Sequence, residues 1–209
     1  MSSLPRPSKI LCAGRNYRAH AEEMGTDVPD EPLLFLKPPS SVIGPGEPIR
    51  IPAGVGRVDH EGEIGVVLGR RGRNIPPERA FEYVAGVFPA NDVTARDLQR
   101  RDSQWTRAKG FDTFCPAGRP ETVDESRWAG LVVLTRVNGE VRQEGAVSDL
   151  AYSLPDLLAY ASTIMTLEPG DFLLTGSPPG VGPLQAGDEV EVEIPGVGSV
   201  RNPVHEEGE

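Results

Sequence analysis

The chain has 209 residues, 38% of them hydrophobic and 25% charged, a balance that suits one soluble domain with a sizeable core and excludes a disordered chain. Its net charge of −10 excludes a general nucleic-acid binder, because a phosphate backbone needs a basic face; an anionic small molecule would have to meet a local cation. No stretch of about 18 apolar residues is present, which argues against a membrane span, and residues 1–10 lack the apolar run of a signal peptide. A cytoplasmic protein is expected.

With 24 glycines and 21 prolines, the chain suits many short strands joined by tight turns, so the expected fold class is mainly β with short helices. Cys12 and Cys115 have no metal-ligand spacing and read as buried thiols. Only Lys9, Lys37 and Lys109 are lysines among 21 basic residues, so Lys37 and Lys109 stand out as places where a compact ammonium can serve better than a planar fork.

In chain order, residues 9–14 read as a first strand. Asn16 then caps a helical turn over residues 17–24 that closes at Gly25. His20 and Glu23 are neighbours on such a turn, so the carboxylate can orient the imidazole, although a surface ion pair fits the spacing equally well. Residues 26–32, with three acids and two prolines, predict a mobile loop from which a lid could be built. Residues 33–38 form an apolar strand stopped by Pro38, with Lys37 either a buried cation or, more commonly, a snorkelling strand end. A turn at residues 44–48 precedes a short edge strand over residues 49–52.

Residues 58–69 run from a group of acids straight into an apolar, β-branched stretch and predict a single strand. Side chains alternate along a strand, so Glu61 and Glu63 share a face with Cα atoms about 6–7 Å apart. An isolated pair of this kind is more often a solvated strand end than a cation site. Residues 70–74 predict an exposed basic turn, and Pro76 or Pro77 opens a short helix. Residues 91–99 predict a loop entering a helix, with Asp92 or Thr94 as N-cap and Arg96 and Gln99 on one face.

Residues 105–116 are aromatic and aperiodic, as in a buried irregular segment beside a pocket. Asn138-Gly139 between two β-patterned runs predicts a hairpin with a type I′ turn. Ser153 and Asp156 form a capping box that opens a helix through Ile164. A buried strand over residues 172–175 enters a glycine-rich turn, residues 176–182, whose backbone N–H groups could approach an anion or simply form a loop. Residues 188–194 alternate with their acids toward solvent and pair with residues 198–202. No repeat or linker is visible, so residues 1–209 are assigned to one domain.

Taken together, Asp59-x-Glu61-x-Glu63, the stretch from Ala90 to Gln99, Lys109-Gly110-Phe111-Asp112-Thr113-Phe114, and Leu174-Thr175-Gly176-Ser177-Pro178 with Gly180-Val181-Gly182 resemble the fumarylacetoacetate hydrolase family, in its branch of acylpyruvate hydrolases and 2-hydroxyhepta-2,4-diene-1,7-dioate isomerases. The resemblance spans residues 10–204. It implies a mixed β-sandwich roll and a homodimer. It also implies that Glu61, Glu63 and Asp92 ligate Mg²⁺ or Mn²⁺, that His20 and Glu23 form a lid dyad, and that Arg96, Gln99, Lys109, Thr175 and Gly176 contact the substrate. Oxygen-only ligation by three carboxylates agrees with a hard cation. Gly62 and Ser177 depart from residues usual in the family, bearing on packing and on the substrate end respectively, while His60 and His205 have no match and read as structural or surface residues.

The reaction these parts imply is hydrolysis of a carbon–carbon bond in an acylpyruvate-like β-diketo acid: His20 delivers water, and Lys109 stabilises the enolate of the pyruvate released. Oxaloacetate decarboxylation and isomerisation of a 2-hydroxy-diene dioate in aromatic catabolism use the same electron sink. A catalytically idle metal-binding or interaction protein is the alternative from another class.

Overall fold

The computed structural model describes residues 6–23 and 25–208. Met24, the predicted last residue of the first helical turn, and residues 1–5, part of the segment read for a signal peptide, lie outside the described residues. The chain begins with β1 (Ile10–Gly14), α1 (Arg18–Glu23) and β2 (Leu33–Lys37), then the short β3 (Val42–Ile43) and β4 (Ile49–Ile51). β5 (Val58–His60), β6 (Gly62–Leu68), β7 (Val84–Asn91) and β8 (Thr94–Ala95) lead into α2 (Arg96–Arg101), α3 (Thr106–Lys109), β9 (Cys115–Pro116) and α4 (Glu125–Trp128). The hairpin β10 (Val132–Val137) and β11 (Glu140–Ala146), α5 (Leu154–Ile164), β12 (Phe172–Leu174), β13 (Gly182–Pro183), β14 (Glu189–Ile194) and β15 (Gly198–Glu206) complete it.

Two five-stranded sheets carry the structure, in the orders β2-β1-β12-β6-β7 and β11-β10-β14-β15-β4. Both are mixed, with β1 parallel to β12 and β15 parallel to β4 among otherwise antiparallel pairs. The mainly β expectation with few short helices therefore holds. β6 is buried along its whole length, as a central strand covered on both faces must be. Ile64, Val66 and Leu68 face a core shared with Leu157 and Leu158 of α5 and Val192 and Ile194 of β14. Val67 faces the opposite way, into a second core with Phe88, Phe172, Cys12 and Cys115. Each such aliphatic side chain contributes roughly 1.5–3 kcal/mol on burial. That burial offsets part of the cost of placing polar and charged groups at the start of the strand.

The single strand predicted over residues 58–69 is two strands broken at Glu61. β5 leaves to pair with β8 and β13, whereas β6 pairs with β12 and β7. The break is stabilised locally: the Glu61 N–H donates to Asn91 Oδ1 at 2.9 Å, and its carbonyl accepts from the Asp92 N–H at 2.8 Å. Glu61 thus stands at the corner where a three-stranded sheet, β13-β5-β8, leaves the first large sheet.

Asn138 and Gly139 take the positive φ values of 53° and 83° that a type I′ turn requires, and Ser153 and Asp156 form both bonds of the capping box. The predicted helix after Pro76 is a 3-10 helix, Pro77–Tyr83. Asn16 does not cap α1 with its side chain, which is held instead by Tyr152 N–H at 2.8 Å and by the carbonyls of Tyr152 and Thr175 at 3.0 and 2.8 Å. Across β14 the acids form a surface ladder, Glu193 with Arg136 at 2.6 Å and Glu191 with Arg201 at 3.2 Å. No helix among the described residues is long and apolar enough to cross a membrane.

Candidate active site

Glu61 at the strand break, Glu63 on β6 and Asp92 just after β7 converge because β6 and β7 are antiparallel neighbours that bring residues 62 and 91 opposite each other. One carboxylate oxygen from each of the three lies within 4.8 Å of the others, and all three residues are buried. Two lysines and an arginine neutralise part of this cluster. Lys109 Nζ, at the end of α3, donates to Glu61 Oε2 at 2.7 Å and also to Asp92 Oδ2. Lys37 Nζ donates to Asp92 Oδ1 at 2.7 Å. Arg96 bonds Asp59 Oδ2 through Nε at 2.8 Å and Glu61 Oε1 through Nη2, and Asp59 is itself paired with Arg57.

Glu63 has no cationic partner among the described residues: its oxygens accept from the Gly176 N–H at 2.8 Å and the Ser177 hydroxyl at 2.7 Å. Burial, reinforced by the charge of Asp92, pushes its carboxyl up to about 8. Glu61 goes the other way; burial opposes ionisation, but Lys109 and Arg96 outweigh it and hold the carboxyl well below the usual range. Lys109 is held above its ordinary value, since Asp92 and Glu61 overcome the cost of its burial. A buried, oxygen-only set with one carboxylate lacking a counter-charge fits a hard divalent cation.

His20 and Glu23 lie on α1, with His20 Nδ1 3.1 Å from Glu23 Oε2. An ionised carboxylate only accepts, so this contact places the proton of a neutral imidazole on Nδ1 and leaves Nε2 for a ligand. Both oxygens of Glu23 also accept from the Gly180 N–H at 3.1 Å. Dyad and carboxylate cluster line the same cavity of about 420 Å³, together with Arg96, Gln99, Lys109 and Ser177. Phe35 and Trp105 form one wall, packed edge to face at 5.3 Å, with Lys109 Nζ 4.9 Å from the Phe35 ring centre.

Most sequence-predicted site residues are therefore brought together, and two sit differently. Thr175 does not line the cavity: its hydroxyl donates to Ile64 O at 2.9 Å in a fully buried position. Gly176 meets the site through its backbone N–H on Glu63. Asp92 is not a helix cap; its oxygens are taken by Lys37 and Lys109, Thr94 donates to its carbonyl, and α2 starts from Ala95 without a side-chain cap. The snorkelling alternative for Lys37 is also overturned, because its side chain is fully buried. Asp59, for which no role was read in the sequence, supports Arg96, and Ser177, read as bearing on the substrate end, supports Glu63. The glycine-rich turn does approach anions, and they are the protein's own Glu63 and Glu23. His60 is buried with Nδ1 2.9 Å from Gln143 Oε1, and burial lowers its pKa despite that bond.

Residues 9–205 match the family model described as the fumarylacetoacetate (FAA) hydrolase C-terminal domain. The mitochondrial oxaloacetate tautomerase FAHD1 of Mus musculus is 44% identical over 199 residues, covering 92% of this chain and 89% of that protein. Among solved structures, 2-hydroxyhepta-2,4-diene-1,7-dioate isomerase from Mycobacterium marinum is 41% identical with a TM-score of 0.88, covering 98% of this chain and 77% of that one. Fumarylpyruvate hydrolase from Pseudomonas aeruginosa, in complex with Mn²⁺ and pyruvate, is 33% identical with a TM-score of 0.91, covering 96% and 91%. The matched span, the fold and these relatives agree: the chain belongs to the fumarylacetoacetate hydrolase family.

Proposed function

We propose that the chain is a divalent-metal-dependent enzyme that moves a proton in an enolisable 2-oxo acid, interconverting keto and enol forms of an oxaloacetate-like substrate. The observation that carries this reading is the His20–Glu23 dyad lining one cavity with the Glu61–Glu63–Asp92 cluster. Mg²⁺ or Mn²⁺ held by those three carboxylates would polarise the 2-oxo oxygen and its neighbouring carboxylate. His20 exchanges a proton with the substrate carbon through Nε2, while Glu23 fixes the ring by its bond to Nδ1. Lys109 and Arg96 supply positive charge beside the developing enolate, and the Phe35–Trp105 wall limits water. The 44% identity to an oxaloacetate tautomerase supports proton transfer as the net reaction.

Hydrolysis of an acylpyruvate to pyruvate and a carboxylic acid is the second reading. It is favoured by the same dyad, which can take a proton from water, and by the likeness to a fumarylpyruvate hydrolase. A homodimer belongs to the proposal; β2 is an edge strand that leaves Leu36 45% exposed, and light scattering measures the assembly directly.

The test follows the enol absorbance of oxaloacetate with Mg²⁺ or Mn²⁺ and with excess chelator, while pyruvate and carbon dioxide are assayed in parallel and acylpyruvates are run beside it. Metal-dependent enol loss without pyruvate supports tautomerisation. Pyruvate from acylpyruvates without carbon dioxide moves hydrolysis to the front, and pyruvate with carbon dioxide from oxaloacetate means decarboxylation. His20→Gln is expected to slow the reaction by about 10²–10⁴-fold while leaving the metal-induced rise in melting temperature intact. Rates identical in chelator reject the metal's role.

A further inference from the structure

The cations around the carboxylate cluster are all committed to carboxylates of the protein: Lys37, behind the cavity wall, to Asp92, Lys109 to Glu61 and Asp92, and Arg96 to Asp59 and Glu61. Two further arginines, Arg15 and Arg100, line the same cavity with exposed side chains. Arg100 has Asp97 4.0 Å away on its own helix. Arg15 has neither an ion pair nor a side-chain hydrogen bond to any described residue.

Its backbone is unusual as well. Arg15 takes φ +56°, a left-handed conformation that costs a non-glycine residue about 1–2 kcal/mol and tends to concentrate at functional sites. Both neighbours are closely packed. A Cβ on Gly14 would come 2.9 Å from the Trp105 ring, and Asn16 is fixed by three hydrogen bonds to Tyr152 and Thr175. Arg15 thus combines a left-handed backbone beside an anchored Asn16 with an exposed guanidinium lining the cavity of a chain of net charge −10, a setting that favours a charge-assisted bond to a bound anion.

We propose that Arg15 binds the distal carboxylate of a dicarboxylic 2-oxo acid whose first carboxylate lies at the Glu61–Glu63–Asp92 end. It thereby sets a preference for diacids over substrates with a neutral tail. This rests on the 2-oxo acid reading above. Arg15 is a specificity residue; the proton-transfer groups act without it.

The test uses the Mn²⁺-loaded protein with oxaloacetate and with its 4-methyl ester, which keeps the 2-oxo acid head and removes the distal charge. KM and calorimetric affinity are measured for the wild type, Arg15→Gln, Arg15→Lys and Arg100→Gln, with oxalate as a ligand that has no tail. Loss of one charge-assisted contact corresponds to about a tenfold to hundredfold change. Arg15→Gln is expected to raise KM and Kd for the diacid by that factor, leaving the ester and oxalate within about twofold, and Arg15→Lys to recover part of the loss. Equal losses for diacid and ester, no loss for either, or transfer of the discrimination to Arg100→Gln would each overturn the assignment. Affinity separates this from the reaction itself: a protein that binds the diacid through Arg15 but turns nothing over refutes the function and keeps the residue's role. A protein that binds neither ligand refutes both.

Discussion

The ammonium of Lys37 lies 2.7 Å from Oδ1 of Asp92 across 55 residues of sequence, with both side chains 1% exposed or less. Lys37 also donates to Val93 O at 3.2 Å, so it fixes both the charge and the backbone around Asp92. Removing one partner of a buried pair leaves the other charge uncompensated, at a cost of about 3–5 kcal/mol. Lys37→Met should lose that amount in urea denaturation, and Lys37→Met with Asp92→Asn should recover much of it. A Lys37→Met protein within about 1 kcal/mol of wild type would show that the pair carries little weight.

Glu63 gives the opposite expectation. It has no cationic partner among the described residues, and its carboxyl is pushed up to about 8 by burial and by Asp92. Without metal, a neutral isostere should therefore be tolerated at pH 7. Glu63→Gln is expected to unfold within about 1 kcal/mol of wild type when metal-free. It should lose the thermal shift that Mn²⁺ gives the wild type, which for a ligand at a hundred times its Kd is worth about 2.7 kcal/mol. An undiminished shift would remove Glu63 from the ligand set.

The acid limit of stability should reflect Asp171. Its carboxylate accepts from the Ser8 hydroxyl at 2.6 Å, from the N–H groups of Ser8, Lys9 and Glu168 at 3.1, 3.2 and 2.8 Å, and pairs with Lys9 Nζ. Burial alone would raise its pKa; the bonds from Lys9 and Ser8 outweigh that and lower it. A lowered folded-state pKa means that the stabilisation is complete above the unfolded value of about 3.9 and is lost as pH falls through the folded value. Asp171→Asn should cost about 1–3 kcal/mol at neutral pH, with the difference from wild type shrinking below about pH 4. A constant difference down to acid unfolding would contradict this assignment.

Gly62 separates the two glutamates and faces away from them. A Cβ there would sit 1.8 Å from Thr135 Oγ1 and 3.3 Å from a Val192 methyl. Thr135 Oγ1 is buried without a hydrogen-bond partner. Gly62→Ala should cost about 1–3 kcal/mol through overpacking, and adding Thr135→Ala should restore part of it. Additive losses in denaturant titrations would mean that the two residues do not share this space.

What was legible in the sequence follows from how local each interaction is. Asn138-Gly139 and Ser153 with Asp156 are read correctly because their geometry is fixed within four residues. The break at Glu61 was not legible, since it depends on pairing with β8 and β13, strands about 35 and 120 residues further on. Asp92 looks like a helix cap until Lys37 and Lys109 arrive beside it. The scarcity of lysine marked both cations, but only tertiary structure showed that Lys37 is inside. Thr175 follows a buried strand into the glycine-rich turn, and nothing nearby in sequence reveals that Ile64 takes its hydroxyl.

That turn holds two distant carboxylates at once, Glu63 through the Gly176 N–H and Glu23 through the Gly180 N–H. Neither glycine can be exchanged in place: φ is +106° and +94°, and a Cβ would come 2.8 Å from Asn16 Cβ and 2.0 Å from Arg142 O. Side chains are thus barred from the two positions that tie the carboxylate cluster to the His20–Glu23 pair. Thr26 and Arg100 line the same cavity with no such backbone restraint. A scaffold arranged in this way can acquire a new substrate without dismantling the machinery beneath it.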